Sequence, residues 1–321
     1  AALGVPVFLT SGARGLLGAG DPLQVRHRRR EALREADLVL LAGVPVDFRL
    51  DYGRQIGRRA AVVAANLAPD EMKKNRKADQ PLWCHPGRFL VALAGAVPAA
   101  GVDRGGWRAW GEALATRDAV RDDEIAGMAE TPTEFVNPIH LCREIERAMA
   151  PDALVVADGG DFVATAAYVL RPRGPLAWLD PGAFGTLGVG GGFAVAAALA
   201  RPGREVWLLW GDGSAAYSLA EIDTCVRHGL APIAVIGNDA GWTQIAREQV
   251  EVLGDDVGTV LRRTDYHTVA EGYGGVGLLL ERPEEVPEVL ARARAEAAAG
   301  RPVVVNALLG KTEFRKGSIS M

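Results

Sequence analysis

Two short stretches carry oxygen-bearing side chains in positions suited to chemistry: Trp210-Gly211-Asp212-Gly213-Ser214 and Asn238-Asp239. Each follows an apolar, β-prone run, Glu205–Trp210 and Ala231–Gly237, and between them Ser218–His228 is apolar at helical spacing. Strand, loop, helix and strand in that order put both side chains at the C-terminal ends of parallel strands, where open α/β sheets bind ligands. Asp212 offers a carboxylate and Asn238 an amide oxygen, while Gly211 and Gly213 let backbone N–H groups come close to a phosphate. Hard oxygen ligands beside a phosphate cradle suit Mg²⁺, which commonly shares its coordination with a diphosphate. Taken singly, Gly-Asp-Gly is a common turn and an Asn after a strand is often only a cap. The pairing of the two on neighbouring strand ends carries the metal reading.

The elements that position these residues form two α/β units. Residues 1–120 read as a first domain, with Val5–Thr10, Asp37–Gly43 and Ala60–Asn66 as buried strands and His27–Glu35 as a helix between the first two. The basic cluster Arg26–Arg30 could contact a nucleotide phosphate but reads first as a solvated helix face, and Arg49, after the second strand, is a weak binding candidate. Residues from about 104 to 118 form an amphipathic helix, and residues 121–136, polar and proline-marked, read as a linker. In residues 137–321, Asn137 caps a helix that begins at Pro138. Strands then follow at Ala153–Ala157, Leu176–Asp180, Glu205–Trp210, Ala231–Gly237, Val276–Leu280 and Val303–Asn306. The fold class expected is α/β, two doubly wound parallel-sheet domains.

Composition excludes several function classes. The 321 residues are 49% hydrophobic and carry a net charge of −4, with no basic excess to draw nucleic acid. Cys84, Cys142 and Cys225 are widely spaced, show no metal pattern, and read as reduced, packed thiols of an intracellular protein. No apolar run reaches bilayer length, and the N-terminus lacks a signal-peptide layout. The chain opens directly on a strand, which suggests a piece of a longer protein.

From Val5 to Met321 the chain resembles the acetolactate-synthase-like group of thiamin-diphosphate enzymes. The stretches that carry the likeness are Ala13–Gly18, Asp47–Arg49, Asp158–Phe162, Pro181–Gly188, Gly211–Gly213, Gly237–Gln244 and Thr264–His267. The family has pyrimidine-binding, central and diphosphate-binding domains, and the resemblance assigns this chain the last two. The glutamate that moves protons at the aminopyrimidine belongs to the first, so this chain alone is expected to be inactive. The resemblance implies that Asp212, Asn238 and the Ala240 carbonyl bind Mg²⁺. It gives Gly211, Gly213 and Ser214 to the diphosphate, with Asp158, Gly159, Gly160 and Asp161 on its other side. Leu187, flanked by Gly185 and Thr186, falls where a bulky apolar residue bends the cofactor, with core packing as its alternative. Trp242 and Gln244 lie where substrate should sit, packing being as good a reading for Trp242. His228 and His267 read as structural, and Glu248 and Asp161 are fallback carboxylates.

The implied reaction is cleavage of a 2-hydroxyacyl-CoA to a shortened aldehyde and formyl-CoA. The alternatives are acetolactate synthesis from pyruvate and, from another class, a catalytically silent cofactor-binding module. Where acetolactate synthases usually have a Gln-His pair, this chain has Asp161-Phe162, so their substrate contacts do not transfer. Further expectations are thiamin diphosphate and Mg²⁺ as cofactors, FAD or ADP in the central domain left open, and a homodimer or homotetramer. A cytoplasmic location is expected for this chain, or attachment to the endoplasmic reticulum through a segment outside it.

Overall fold

The computed structural model describes residues 3–101 and 105–316. The chain divides into two compact units, Ala1–Phe8 with Pro22–Arg121, and Leu9–Asp21 with Asp122–Met321.

The first unit contains α1 (Arg29–Glu35), β1 (Leu38–Ala42), β2 (Ala61–Asn66), β3 (Gln80–Trp83) and α2 (Pro86–Ala99). Its parallel sheet has the order β1-β2-β3. Alternate side chains Val39, Leu41, Val62 and Ala64 bury against Val46, Leu50 and Met72. The expected strand Val5–Thr10 is not in the sheet. Pro6 lacks an amide donor, and the segment forms a single bridge, Val7 with Gln24, before the chain passes to the other unit. The third strand is β3 instead. It was hidden because three of its four side chains are exposed and Pro81 interrupts it, which an edge position tolerates.

Helix α3 (Gly105–Ala129) runs through the start of the expected linker, residues 121–136. Arg121–Ala129 is polar but compatible with helix, and the helix stops ahead of Pro132, where proline disfavours a helical predecessor. The helix start expected near 104 lies at the edge of the described residues.

In the second unit, α4 (Pro138–Ala148) opens on Asn137, whose side chain accepts from the Ile139 N–H. There follow β4 (Leu154–Ala157), α5 (Asp161–Val169), β5 (Trp178–Leu179), α6 (Gly190–Ala200), β6 (Val206–Gly211), α7 (Asp212–Ser218) and α8 (Glu221–His228). The unit continues with β7 (Ile233–Asn238), α9 (Thr243–Leu253), α10 (Tyr266–Gly272), β8 (Val276–Leu280), α11 (Val286–Ala298) and β9 (Val303–Leu308). The six strands are parallel in the order β5-β4-β6-β7-β9-β8, as their apolar runs predict, β5 being shorter than expected.

Strand alternation builds two cores. Val155, Ala157, Trp207, Leu209 and Val305 pack with Leu141, Ile145, Phe162 and Leu290 from α4, α5 and α11. On the opposite face Val156, Leu208, Trp210, Ile236 and Val304 pack with Ala194, Ile222 and Ala270 from α6, α8 and α10. Both faces of the central strands are covered, so these strands are mostly apolar. Leaving β4 the chain moves one way to β5, then returns across β4 to β6. That reversal opens a crevice at the C-terminal ends of β4 and β6.

All three cysteines are free, Cys142 and Cys225 buried. Among the described residues no helix is long and apolar enough to cross a membrane.

Candidate functional site

The crevice between β4 and β6 is closed by glycine backbone. Gly211 N donates to Gly159 O at 2.8 Å. A Cβ on Gly160 would lie 2.8 Å from Gly211 Cα, so the two strand ends touch only because neither carries a side chain. Beside this contact is a cavity of about 260 Å³, lined by Asp158, Gly159, Gly160, Asp161, Gly185, Leu187, Gly211, Asp212, Gly213, Ser214 and Trp242 among others. A broader, open groove of about 590 Å³ lies at His85, Gly87, Arg88, Val91 and Ala92 of the first unit.

Register sets the metal candidates side by side. Gly211 pairs with Gly237 across β6 and β7, so Asp212 and Asn238 are the next residues on adjacent strands. Asp212 is buried, its Oδ1 accepting from Gly213 N at 2.8 Å and its Oδ2 from Gly241 N at 3.0 Å. Burial, reinforced by the charge of Asp239, pushes its carboxyl up to about 7. Asp239 is pushed up to about 6, chiefly by burial, against a hydrogen bond from Thr243 and with Asp161 adding to the rise. Asn238 is wholly buried, and its Oδ1 has no hydrogen-bond partner. Ala240 adopts φ 58°, a left-handed turn, and its carbonyl accepts from Leu261 N at 2.9 Å, which leaves one lone pair.

Among the described residues no three His, Cys, Asp or Glu side chains gather as a metal cluster. A set of one carboxylate, one amide oxygen and one backbone carbonyl is instead the hard-oxygen type that Mg²⁺ accepts from protein while keeping water and phosphate ligands. An unpartnered buried amide oxygen beside a carboxyl raised by burial fits a bound divalent cation, which would satisfy the first and ionise the second.

The Gly-rich loop is held from below. Asp158, buried, accepts from Gly159 N, Gly188 N, Gly190 N and Trp210 Nε1 at 2.7–3.3 Å. Asp158 lines the cavity as expected of it, and its carboxylate is also engaged by the protein, tying the Gly188–Gly190 turn to the end of β4. Burial raises its pKa against these same hydrogen bonds. The loop carries Leu187 over Gly159: a Cβ there would meet Leu187 Cδ2 at 1.9 Å. Leu187 is 36% exposed, so it lines the cavity and is no core residue. Thr186 is exposed and does not line the cavity.

Gly213 N is used by Asp212 Oδ1, and the Trp242 ring lies over its Cα, where a Cβ would meet the ring at 2.6 Å. Ser214 Oγ donates to Gly159 O at 2.8 Å. Asp161 takes a hydrogen bond from Arg247 at 2.9 Å, and its Oδ1 is buried without a partner. Gln244 lines the cavity, whereas Glu248 is exposed and does not. His228 is exposed at the end of α8, and His267 meets Asn306. Arg49 is paired with Asp47.

Sequence reasoning missed the contribution of Thr10, Ser11 and Arg14, which also line the cavity. Arg14 donates to Ala167 O at 2.9 Å and stacks over Trp178. It also missed Asn306, a wholly buried amide. Its signal was an Asn in the otherwise apolar run Val303–Leu308.

Comparison with known proteins bears on this geometry. The family model of the thiamine pyrophosphate enzyme C-terminal TPP binding domain matches residues 158–307, and that of the thiamine pyrophosphate enzyme central domain matches residues 1–93. The chain belongs to the thiamine pyrophosphate enzymes. It is 47% identical to 2-hydroxyacyl-CoA lyase 2 of Danio rerio and 46% to that of Homo sapiens, over 99% of this chain in both cases. It spans about half the length of these relatives, 52% and 51%. The acetolactate synthase large subunit IlvG of Mycobacterium tuberculosis is 38% identical over 95% of the chain and 54% of its own length. A solved Rhodococcus jostii RHA1 thiamine diphosphate-dependent 4-hydroxybenzoylformate decarboxylase superposes with a TM-score of 0.77 at 20% identity, covering 97% of this chain and 57% of that one. It shares the fold. The stretch matched to the TPP-binding domain, residues 158–307, contains Asp212, Asn238 and Asn306.

Proposed function

We propose that the protein is a thiamin-diphosphate- and Mg²⁺-dependent carbon–carbon lyase that splits a 2-hydroxyacyl-CoA into an aldehyde shorter by one carbon and formyl-CoA. The observation that carries the cofactor reading is the unpartnered, buried Asn238 Oδ1 beside Asp212. The substrate class rests on the 47% identity to relatives named for that reaction, against 38% to the acetolactate synthase.

Bound thiamin diphosphate supplies an electron sink for making or breaking a bond next to a carbonyl. The chain's own part is placement. Asp212, Asn238 and the Ala240 carbonyl would hold Mg²⁺, whose charge would offset that of the diphosphate. Asp158 fixes the turn that carries Leu187 to the cavity wall, where its apolar side chain would line the space for the cofactor. Trp242 and Gln244 border the space left for substrate. Cleavage breaks the C1–C2 bond and moves the hydroxyl proton to the new formyl carbon, so no co-substrate is consumed.

Acetolactate synthesis is the second reading, favoured by the 38% relative. Against it, Asp161 is held by Arg247, and Phe162 is buried against Gly237, so neither stands in for a Gln-His pair. We extend the proposal to a homodimer or homotetramer, to be read by sedimentation.

The test uses the intact protein with thiamin diphosphate and Mg²⁺. Mass spectrometry should detect formyl-CoA and the shortened aldehyde from a 2-hydroxyacyl-CoA. Acetolactate from pyruvate alone would move the assignment to the second reading. Calorimetric binding of cofactor with no turnover of either substrate would leave a silent cofactor-binding module.

A further inference from the structure

The Thr264 backbone carbonyl can only accept hydrogen bonds, and two side-chain amides meet it. Asn238 Nδ2 donates to it at 3.2 Å and Asn306 Nδ2 at 3.0 Å. An obligate acceptor fixes the orientation of both amides, because reversing either would set oxygen against oxygen. With the nitrogens so assigned, Asn238 Nδ2 gives its other hydrogen to Asn306 Oδ1 at 3.1 Å. Asn306 Nδ2 lies 3.3 Å from His267 Nδ1, the partner within reach of its second hydrogen. Ile236 pairs with Asn306 across β7 and β9, so Asn238, two residues on, shares a sheet face with Asn306. Both amides are wholly buried, and every N–H of the pair is spent. The atom left over is Asn238 Oδ1.

We propose that Asn306 is a positioning residue for the cation site: it locks the Asn238 amide so that Oδ1, and not Nδ2, is presented beside Asp212. This rests on the reading of Asp212 and Asn238 as Mg²⁺ ligands. An amide is nearly symmetric in shape but opposite in polarity at its two ends, so a ligand amide turned over offers N–H donors to a cation. The Thr264 carbonyl holds one hydrogen of Asn238, and Asn306 holds the second. His267 braces Asn306 from behind. Partners of this kind, one step removed from the metal, typically change affinity ~10–100-fold when removed.

The experiment measures Mn²⁺ affinity by electron paramagnetic resonance on the intact protein with thiamin diphosphate present. Mn²⁺ takes the same oxygen ligands as Mg²⁺. Asn306→Leu is expected to weaken Mn²⁺ binding about 10-fold. Asn238→Asp provides the second background, because a carboxylate shows oxygen at both ends and leaves the lock nothing to choose. There Asn306→Leu should change the affinity less than about 2-fold, a departure from additivity that a general loosening of the fold would not produce. Equal losses in both backgrounds, or no loss in either, would overturn the inference. Asp212→Ala separates it from the reading beneath: if that variant binds Mn²⁺ normally, the metal assignment itself fails. If Asp212→Ala abolishes binding and Asn306→Leu does not touch it, the site stands and the lock falls. Should thermal melts show Asn306→Leu unfolded, Asn306→Ser, too short to reach Asn238, takes its place in the same cycle.

Discussion

Asp158 and Asp212 are the same residue type at the ends of neighbouring strands, and their hydrogen bonds give them opposite work. Asp158 is saturated by the protein, with four donors around one carboxylate. Removing it as Asp158→Ala strands buried N–H groups, each costing ~1–3 kcal/mol, so thermal melting should show a loss of about 3 kcal/mol or more. Asp158→Asn, which keeps the shape, should still bind Mg²⁺ in calorimetry, whereas Asp212→Asn and Asp212→Ala should not. Equal metal loss in the two Asn variants would overturn this division of roles. The raised carboxyls of Asp212, at about 7, and Asp239, at about 6, set a pH dependence. Unfolded carboxylates ionise near pH ~4, while the folded ones hold their protons to higher pH. The metal-free protein therefore loses stability as pH rises from about 4 to 7 and levels off above. Mg²⁺ with thiamin diphosphate should remove that decline, because a cation favours the ionised form. A flat melting temperature for the metal-free protein across this range would contradict the burial argument.

At the scale of elements, the strands and loops of the second unit were readable because their side chains report their surroundings. Strands buried on both faces show as mostly apolar runs, and polar side chains stand out where β6 gives way to Asp212 and β7 ends at Asn238. Other elements do not advertise themselves in this way. Edge strand β3 exposes its side chains, the last turns of α3 fall in a polar stretch, and Val5–Thr10 is apolar yet makes one bridge. The inward use of Asp158 and the amide pair Asn238–Asn306 depend on contacts far apart in sequence, which no local pattern carries. Leu187 shows the cost of reading a residue without its surface. As a core residue its truncation would cost ~2–5 kcal/mol, but at 36% exposure Leu187→Ala should cost about 1 kcal/mol and lower turnover more than cofactor affinity. The glycines beneath it differ in the same way. A Cβ at Gly159 meets only the tip of Leu187, which can rotate away. At Gly160 it meets the Gly211 backbone, in a φ of 115° that side chains rarely adopt. Gly160→Ala should therefore destabilise by about 3 kcal/mol and Gly159→Ala by clearly less, as melting curves will read. Equal costs would mean that the loop, and not the strand-end contact, yields at Gly160.

At the scale of the molecule, every residue assigned to the site belongs to one of the two compact units, and that unit has its own two cores. The assignment includes Leu9–Asp21, a segment that leaves the first unit and supplies Thr10, Ser11 and Arg14 to the cavity wall. Ligand binding stabilises only the conformations that bind, so its free energy appears where opening breaks the site. Hydrogen exchange on the intact protein should accordingly show thiamin diphosphate and Mg²⁺ slowing exchange at Asp158–Asp161, Gly185–Gly190, Gly211–Ser214 and Asn238–Gln244. The segment Leu9–Asp21 should slow with them, although it lies more than a hundred residues away in sequence. Strands β1, β2 and β3 pack in a separate core and should exchange at unchanged rates. Protection spreading evenly over those three strands would show that the units open together, and the site would then draw its stability from the whole chain. Protection of the glycine loops without Leu9–Asp21 would instead mean that the segment only closes the crevice in the absence of cofactor, and that Arg14 has no part in holding the bound state.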